Sequence, residues 1–384
     1  MKTITARSTK KDTKDAVSEV ASALKSVDNI KAVMFFACSD YDNSVIALMQ
    51  AEFPGITVFG CTSMAEMLNA EYTTNSIVAT AFTDELIEDI KTVVLTKVAP
   101  GKVDIDDEIA ELEEYYGTAF YTLDKEKYFG IVICCPVLSK ISEVEIYDEI
   151  GDRTSCVFTG ATASSTNFVF ENVRIYGNGQ AYENSAVLAL VKSKVPFAFE
   201  KMEAVERMNV SASITKMADI NPETGAGVGI VQELEGINPA DFFSKIYDLP
   251  REEIIKMDIN DVMRYSLGIV IDGSPFMHTT EYFFPDGSLQ LNPPTYPGSH
   301  VELFEARDLI PTTREQMAKI REKHPDTSYI VAFDCAYRYL DGLTHHTLEE
   351  YTGMWKGIPM MGLATFGEYF ICKVSQTTGM LLLK

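Results

Sequence analysis

The sequence predicts an α/β protein of the α+β type: duplicated helix, strand, helix and multistrand units form mixed sheets packed face to face, with helices outside. The first observation is that an apolar strand ends at a cysteine three times, and a second apolar strand ends at a glycine 22, 25 or 27 residues later and gives way to a turn. The second is that strand runs follow strand and helix pairs, which is typical of mixed sheets with antiparallel hairpins. The three pairs are Cys38 with Gly60, Cys135 with Gly160, and Cys335 with Gly362. This regularity indicates one supersecondary unit used repeatedly.

The first unit opens with an amphipathic helix from about Thr13 to Lys25, where apolar residues recur at three- and four-residue spacing. A strand from Lys31 to Cys38 follows it. Asp40 or Asp42 can cap the next helix, which the sequence Phe53-Pro54-Gly55 ends. The apolar runs near 57–60, 76–82 and 87–95 are predicted strands.

The same order of elements then returns, which predicts a second unit within the first 200 or so residues. Its predicted helices span 104–116 and 139–150, and its predicted strands span 128–135, 156–159, 168–176, 185–191 and 197–202. Two such units are expected to form an N-terminal domain.

A chain of 384 residues favours two domains, and we place them at 1–203 and 204–384. The second is predicted to be an α/β domain. Asn238 and Pro239 suit the cap and first turn of one of its helices. Its predicted helices span 239–247, 251–257 and 312–323, and its predicted strands span 210–216, 227–231, 266–272, 276–282 and 298–305. The third copy of the strand pair lies in the last part of the sequence, at 330–335 and 359–362.

Charge and composition exclude some classes of function. Asp and Glu outnumber Lys and Arg by 56 to 33, so the net charge of −23 argues against a nucleic-acid partner. No run approaches the ~18 apolar residues of a membrane span, and the N-terminus lacks the apolar segment of a signal peptide. Seven cysteines, an odd number without a CxxC pair, suggest reduced thiols. We therefore expect a cytoplasmic protein that does not insert into membranes.

The residues after each glycine are candidates for the wall of a binding pocket. The first such segment contains Cys61, Thr62 and Glu66, and small residues there allow backbone N–H groups to approach a ligand. The third contains Thr365, Gly367 and Glu368, which are also predicted to contact ligand. The alternative is that the small residues only allow a tight turn beneath a neighbouring strand. The segments contain no nucleotide-binding glycine motif.

Arg338 follows the third cysteine strand closely, where a helix N-terminus would also supply N–H groups. Together they would suit a carboxylate ligand. The alternative for Arg338 is a salt bridge to Asp334, Asp341 or Glu349. Cys335 is predicted to contact the ligand too, although a cysteine at a strand end often serves only in packing.

Evidence for catalysis or metal binding is weak. His345 and Glu349 have the spacing of two residues on one helical face, but a solvated helix explains them better. A nucleophilic pair of Cys335 with a histidine would depend on long-range folding that the sequence does not specify. We therefore predict no catalytic residue, no metal site and no cofactor.

The motifs resemble those of the FIST family of sensory domains. The N-terminal FIST part is recognisable in 31–42, 58–66 and 158–163, and the C-terminal FIST part in 334–338, 362–368 and 376–378. The resemblance implies binding of a small ligand, with amino acids suggested, in proteins that work beside signalling modules. It singles out Cys335, Arg338 and Glu368. Ala65 stands where a glycine is common, and the second glycine segment lacks the usual acidic residue. If the acidic residues bind ligand amines, a different ligand or only one working site is expected.

The leading hypothesis is a non-enzymatic cytoplasmic sensor for a small polar metabolite, with an amino acid as the class that the resemblance suggests. Because the two sensory parts would occupy the whole chain, the signal is expected to pass to a separate signalling protein. One alternative is an enzyme that uses the thiol of Cys61 or Cys335 for acyl transfer or hydrolysis. Another is a protein-interaction scaffold whose affinity for its partner no metabolite changes.

Overall fold

The computed structural model describes residues 3–99, 101–135, 140–166, 172–221 and 225–384. Helix formation at the start follows the predicted pattern: the side chain of Asp12 accepts a hydrogen bond from the backbone N–H of Asp15 at 2.9 Å, and the apolar face beyond it is buried. The elements of the first copy are β1 (Thr3–Ser8), α1 (Thr13–Leu24), β2 (Ile30–Cys38), α2 (Ser44–Glu52), β3 (Thr57–Ser63), β4 (Glu66–Leu68), β5 (Glu71–Thr73) and β6 (Ile77–Thr83).

The second copy repeats this order with one additional small hairpin. Its elements are β7 (Ile87–Leu95), β8 (Val98–Ala99), β9 (Lys102–Val103), α3 (Asp106–Tyr116), a 3-10 turn (Phe120–Thr122), β10 (Tyr128–Cys134), α4 (Lys140–Gly151), β11 (Phe158–Thr162), β12 (Ile175–Gly177), β13 (Gln180–Tyr182) and β14 (Ala186–Ser193). The predicted strand 168–176 falls partly outside the described residues.

The third copy is interrupted by a long insertion after its first strand. That strand is β15 (Phe197–Glu203). The insertion contains β16 (Val205–Met217), β17 (Ile230–Leu234), α5 (Pro239–Tyr247), α6 (Arg251–Ile254), α7 (Ile259–Met263), β18 (Tyr265–Ile271), β19 (Ser274–Phe283), β20 (Leu289–Asn292) and β21 (His300–Ala306). The copy resumes with α8 (Leu309–Lys323), β22 (Tyr329–Cys335), α9 (Ala336–Thr344), α10 (Leu348–Gly353), β23 (Met360–Thr365), β24 (Glu368–Phe370), β25 (Cys372–Val374) and β26 (Thr377–Leu383).

Each copy builds the same six-stranded mixed sheet, which confirms the predicted α/β class. The orders are β1-β6-β2-β3-β12-β13, β7-β14-β10-β11-β24-β25 and β15-β26-β22-β23-β4-β5. In every sheet the cysteine strand is parallel to the glycine strand and antiparallel to the last strand of its own copy.

The three copies exchange hairpins in a cycle. The β4–β5 hairpin of the first copy extends the third sheet, β12–β13 of the second extends the first, and β24–β25 of the third extends the second. Each sheet therefore contains four strands of one copy and the two-stranded hairpin of another copy. The β4–β5 hairpin and the strands β22, β23 and β26 lie in one sheet, on opposite sides of the predicted domain boundary. The division into 1–203 and 204–384 stays a prediction.

One apolar core lies between the inner faces of all three sheets, whereas the sequence predicted two sheets face to face. Side chains alternate along β2, so that Phe36 points into this shared core and Phe35 points into the layer beneath α1 and α2. Phe36 meets Phe333 of the third sheet with ring centroids 6.5 Å apart. The third sheet packs here because its own inner face is equally apolar.

The glycines of the three strand pairs lie within β3, β11 and β23, so the prediction that the strands end there is wrong. A Cβ at Gly60 would lie 1.7 Å from the carbonyl oxygen of Phe35, and a Cβ at Gly160 would lie 1.7 Å from that of Val132. The parallel strands approach too closely for any larger residue. The glycines therefore allow close packing against a neighbouring strand, as the alternative to a ligand-binding role stated.

The insertion forms a closed barrel with the strand order β16-β17-β20-β19-β18-β21. Asn238 caps α5 as predicted, its side chain accepting a hydrogen bond from the N–H of Ala240. The chain enters the barrel through Ala204 and leaves it through Arg307, and the N–H of Arg307 donates to the carbonyl of Ala204 at 2.8 Å. The barrel is thus joined to the three-sheet body by two adjacent segments of the chain.

Candidate ligand-binding site

A cavity of about 320 Å³ lies between the barrel and the three-sheet body. The body forms its first wall, at the carboxyl ends of β22 and β23, a location where ligands commonly bind in sheets with parallel strands. This body wall comprises Glu143, Thr162, Cys335, Ala336, Tyr337, Thr365, Phe366, Lys373 and Ser375. The barrel wall comprises Ile259, Glu281, Tyr282 and Asn292.

A buried ion pair lies in the body wall. Lys373 of β25 pairs with Glu143 of α4, and their side chains are 3% and 1% exposed. The hydroxyls of Thr162 and Tyr369 donate to the same Glu143 oxygen, at 3.0 and 2.9 Å. These bonds fix the carboxylate, and the ammonium of Lys373 retains N–H donors for a second acceptor because it carries three.

Ser375 ties the body to the barrel beside the cavity. Its hydroxyl donates to the carbonyl of Asn292 at 2.9 Å and accepts from the N–H of Thr279 at 3.0 Å. Its own N–H donates to the carbonyl of Met277 at 3.2 Å. A displacement of Lys373, two residues earlier in the chain, would therefore be transmitted to β19 and β20.

Cys335 and Thr365, two of the predicted ligand residues, line this cavity. Thr365 donates to the carbonyl of Thr162 at 2.5 Å, which joins the ends of the second and third glycine strands. Burial, and then the charge of Glu368, raises the pKa of the Cys335 thiol well above its usual value. A protonated thiol is a poor nucleophile, so the geometry does not favour the thiol-enzyme hypothesis.

Gly367 supports the cavity without lining it. A Cβ at this position would lie 2.8 Å from Cε of Lys373 and 3.0 Å from the hydroxyl of Thr162. The absence of a side chain therefore lets Lys373 lie flat against the end of β11.

Glu66 and Glu368 are fully buried at equivalent places in two exchanged hairpins, outside the cavity wall. In the sheet registers Glu66 lies opposite Leu363, and Glu368 lies opposite Ala161. Burial raises the pKa of each glutamate to about 8. The equivalent position of the second copy is Ile175, opposite Cys61. Each of these two glutamates therefore lies where a hairpin of one copy pairs with a strand of another copy.

The hydrogen bonds of the two glutamates follow the same plan. Glu66 accepts from the hydroxyls of Ser63 at 2.6 Å and Ser76 at 2.5 Å. Glu368 accepts from the hydroxyl of Thr377 at 3.0 Å. Ser76 and Thr377 both stand at the start of the last strand of their copies, so each glutamate connects its hairpin to that strand.

Cys61 and Thr62, also predicted to contact ligand, lie in β3 away from the cavity. Cys61 belongs to the shared apolar core. The N–H of Thr62 donates to the carbonyl of Arg174 at 2.9 Å, and its hydroxyl accepts from the N–H of Arg174 at 3.0 Å. These contacts hold the exchanged β12–β13 hairpin beside β3.

Arg338 lies behind the cavity wall in a buried polar cluster. Its guanidinium pairs with Asp334 at 3.3 Å and donates to Thr313 at 2.9 Å. Asp334 also accepts from Tyr351 at 2.8 Å and from Tyr72, of the exchanged β5, at 2.6 Å. The salt bridge to Asp334, one of the alternatives open from the sequence, is therefore the one that forms.

A comparison with models of protein families identifies the family of this chain. The FIST N domain matches residues 31–221. The chain belongs to the FIST family. None of the curated proteins compared with the chain is significantly similar to it.

FIST domains form a sensory domain family, consistent with sensing in signal transduction. The FIST match ends before the barrel closes and before the third strand pair begins, so a FIST C-terminal domain over 204–384 stays a prediction. Of the described helices, none combines the length and apolar composition that a membrane span needs. The described residues likewise contain no cluster of His, Cys, Asp and Glu suited to a metal ion.

The sequence did not identify Glu143, Lys373, Glu281 or Asn292 as candidates in this FIST protein. They come from two copies and from the barrel, and no short motif joins them. Lys373 offered the one usable signal, since it is a lysine flanked by Cys372 and Val374 in a short strand, where a charged side chain would be expected to need a partner.

Proposed function

We propose that this FIST protein is a cytoplasmic sensor that binds a small polar metabolite, with an amino acid as the expected class, in the cavity between body and barrel. The observation that carries the proposal is the buried pair of Lys373 and Glu143 in the cavity wall. A zwitterionic ligand needs a cation for its carboxylate and an acceptor for its ammonium, and this pair supplies both side by side.

The size of the cavity supports a ligand of this kind. A volume of about 320 Å³ lies at the lower end of the ~300–1,000 Å³ typical of small-molecule sites. A larger groove of about 800 Å³ runs beside Lys356, but it is more open to solvent and contains one charged side chain. The smaller cavity therefore fits a compact polar ligand better.

The proposed signal is a change in the position of the barrel relative to the body. Ligand contacts with both walls would favour the closed arrangement, because a ligand shifts a conformational equilibrium only by its differential affinity. The two connections at Ala204 and Arg307 allow such a movement, and Ser375 couples it to the ligand wall. A separate signalling protein would read the change. The seven free thiols support a reducing compartment.

Isothermal titration calorimetry with the twenty standard amino acids tests the proposal. At least one should bind to a single site, and the double variant Lys373→Met with Glu143→Gln should weaken it about ten- to a hundredfold. Changing both partners avoids leaving one buried charge unpaired.

The matched control is Lys201→Met with Glu203→Gln, which removes a largely buried ion pair beside the connection to the barrel, outside the cavity. It should leave the affinity unchanged. Absence of binding by every amino acid, or equal loss in both double variants, would contradict the proposal.

A further inference from the structure

Asn292 presents a buried hydrogen-bond acceptor in the barrel wall of the cavity. The residue ends β20, is 8% exposed and lines the same cavity as Lys373. Its side-chain oxygen Oδ1 is buried and has no hydrogen-bond partner among the described residues. A buried acceptor that has lost water without gaining a donor carries a desolvation penalty. A donor supplied by a ligand in the cavity would remove this penalty.

The strand end that carries Asn292 is held in place by its neighbours. The hydroxyl of Ser375 donates to the backbone carbonyl of Asn292 at 2.9 Å. Thr279 lies opposite Asn292 in the register of β19 and β20, and its N–H donates to the same Ser375 hydroxyl at 3.0 Å. Because its backbone is already fixed, the acceptor needs little further ordering when a ligand binds.

The charges of the cavity favour an uncharged donor as the partner of Asn292. In the body wall, Lys373 and Glu143 neutralise each other. Glu281, in the barrel wall, already takes part in an interaction within the protein and is therefore not assigned to the ligand. An ammonium group buried against a neutral amide oxygen loses far more hydration free energy than an amide or a hydroxyl does.

We infer that the side chain of the ligand ends in an uncharged N–H or O–H donor, which bonds to Oδ1 of Asn292 while the ligand carboxylate binds Lys373. This inference rests on the proposed function and specifies its ligand class as amino acids with an amide or hydroxyl side chain. Asn292 belongs to the barrel and Lys373 to the body, so such a ligand is bonded to both walls. It therefore favours the closed arrangement more than an amino acid that binds the body alone.

Calorimetry with two matched pairs of compounds tests the inference. Glutamine is compared with its methyl-ketone analogue, in which a methyl group replaces the amide nitrogen, and threonine is compared with valine, in which a methyl group replaces the hydroxyl. In at least one pair, the donor-bearing compound should bind the wild type at least about fivefold more tightly than its partner. Asn292→Leu should bring this ratio to about one by weakening the donor-bearing compound alone. Asn292→Ser, which withdraws the acceptor without adding apolar surface, should lower the ratio in the same way.

The control variant is Gln290→Met. It removes another buried amide of β20, which donates to the carbonyls of Val228 and Leu291 and lies outside the described lining of the cavity. The control should keep the wild-type ratio. Thermal unfolding of each variant establishes that it is folded.

The outcomes separate the inference from the proposed function. Equal affinities within both pairs, a ratio that the folded Asn292 variants leave unchanged, or a ratio lost equally in the control would overturn the inference and leave an amino-acid sensor. Tighter binding of lysine than of glutamine and threonine would also overturn it, because the ligand side chain would then be charged. Absence of binding by every standard amino acid would overturn the inference together with the proposed function.

Discussion

The two buried glutamates of the exchanged hairpins predict an unusual dependence of stability on pH. Glu66 and Glu368 are fully buried, and burial raises the pKa of each from the ordinary 4.5 to about 8. The perturbation is the double variant Glu66→Gln with Glu368→Gln. Glutamine has the shape of a protonated glutamate but does not titrate, so the variant removes the pH dependence and retains the packing.

The sign and the size of the effect follow from proton linkage. A carboxyl with a higher pKa in the folded chain binds its proton more tightly there, so the stabilisation is complete below pH 4.5 and is lost as pH rises toward 8. Between these limits each glutamate lowers the free energy of unfolding by about 1.4 kcal/mol per pH unit. The wild type should therefore lose about 2.7 kcal/mol relative to the double variant between pH 6 and 7.

Urea unfolding at half-unit steps from pH 5.5 to 7.5 measures this difference. Trp355 is the single tryptophan and is fully buried, so its fluorescence reports unfolding directly. Glu315→Gln on the exposed face of α8 is the control for the substitution itself and should track the wild type. Parallel pH profiles for wild type and double variant would refute the buried, protonated state of the two glutamates.

Four further predictions follow from the fold and the site. Gly60→Ala should destabilise by at least ~3 kcal/mol, because its Cβ meets a backbone carbonyl, whereas Gly151→Ala, with open space around it, should change urea stability by less than about 1 kcal/mol. The fragment 1–203 should show no cooperative unfolding in urea, because its second sheet lacks the β24–β25 hairpin; a sharp transition would contradict the exchange. Arg338→Met should lower the free energy of unfolding by about 3–5 kcal/mol, because it leaves the buried carboxylate of Asp334 without its ion-pair partner. The folded variant should keep the ligand affinity of the wild type in calorimetry; loss of binding in folded protein would place Arg338 in the ligand site. Cys335 should resist alkylation at pH 8 in mass-spectrometric labelling, since burial raises its thiol pKa; rapid labelling would revive the thiol-enzyme hypothesis.

The repeated strand pairs were predictable because they depend on local sequence. A continuous apolar run and a cysteine at the strand end mark β2, β10 and β22, and each of these strands pairs in parallel with its glycine strand. The exchange of hairpins was not predictable. Glu66 pairs with Leu363 across nearly 300 residues, and no local pattern in β4 distinguishes its own sheet from a neighbouring one.

The candidate site was predictable only where a strand end determines it. Cys335 and Thr365 end adjacent parallel strands and therefore share one edge of a sheet. Arg338 lies one helical turn further on, where its side chain meets Asp334 at spacing i, i+4 instead of the cavity. Lys373 and Glu143 come from different copies, so their meeting depends on the exchanged β24–β25 hairpin and could not be inferred from either segment.

The crystal structure of the protein with the tightest-binding compound of the amino-acid panel tests the central claim most directly. The ligand should lie in the cavity between body and barrel, with its carboxylate within about 3 Å of the Lys373 ammonium. Electron density for the compound in another part of the molecule, such as the groove beside Lys356 or the Arg338 cluster, would contradict the account.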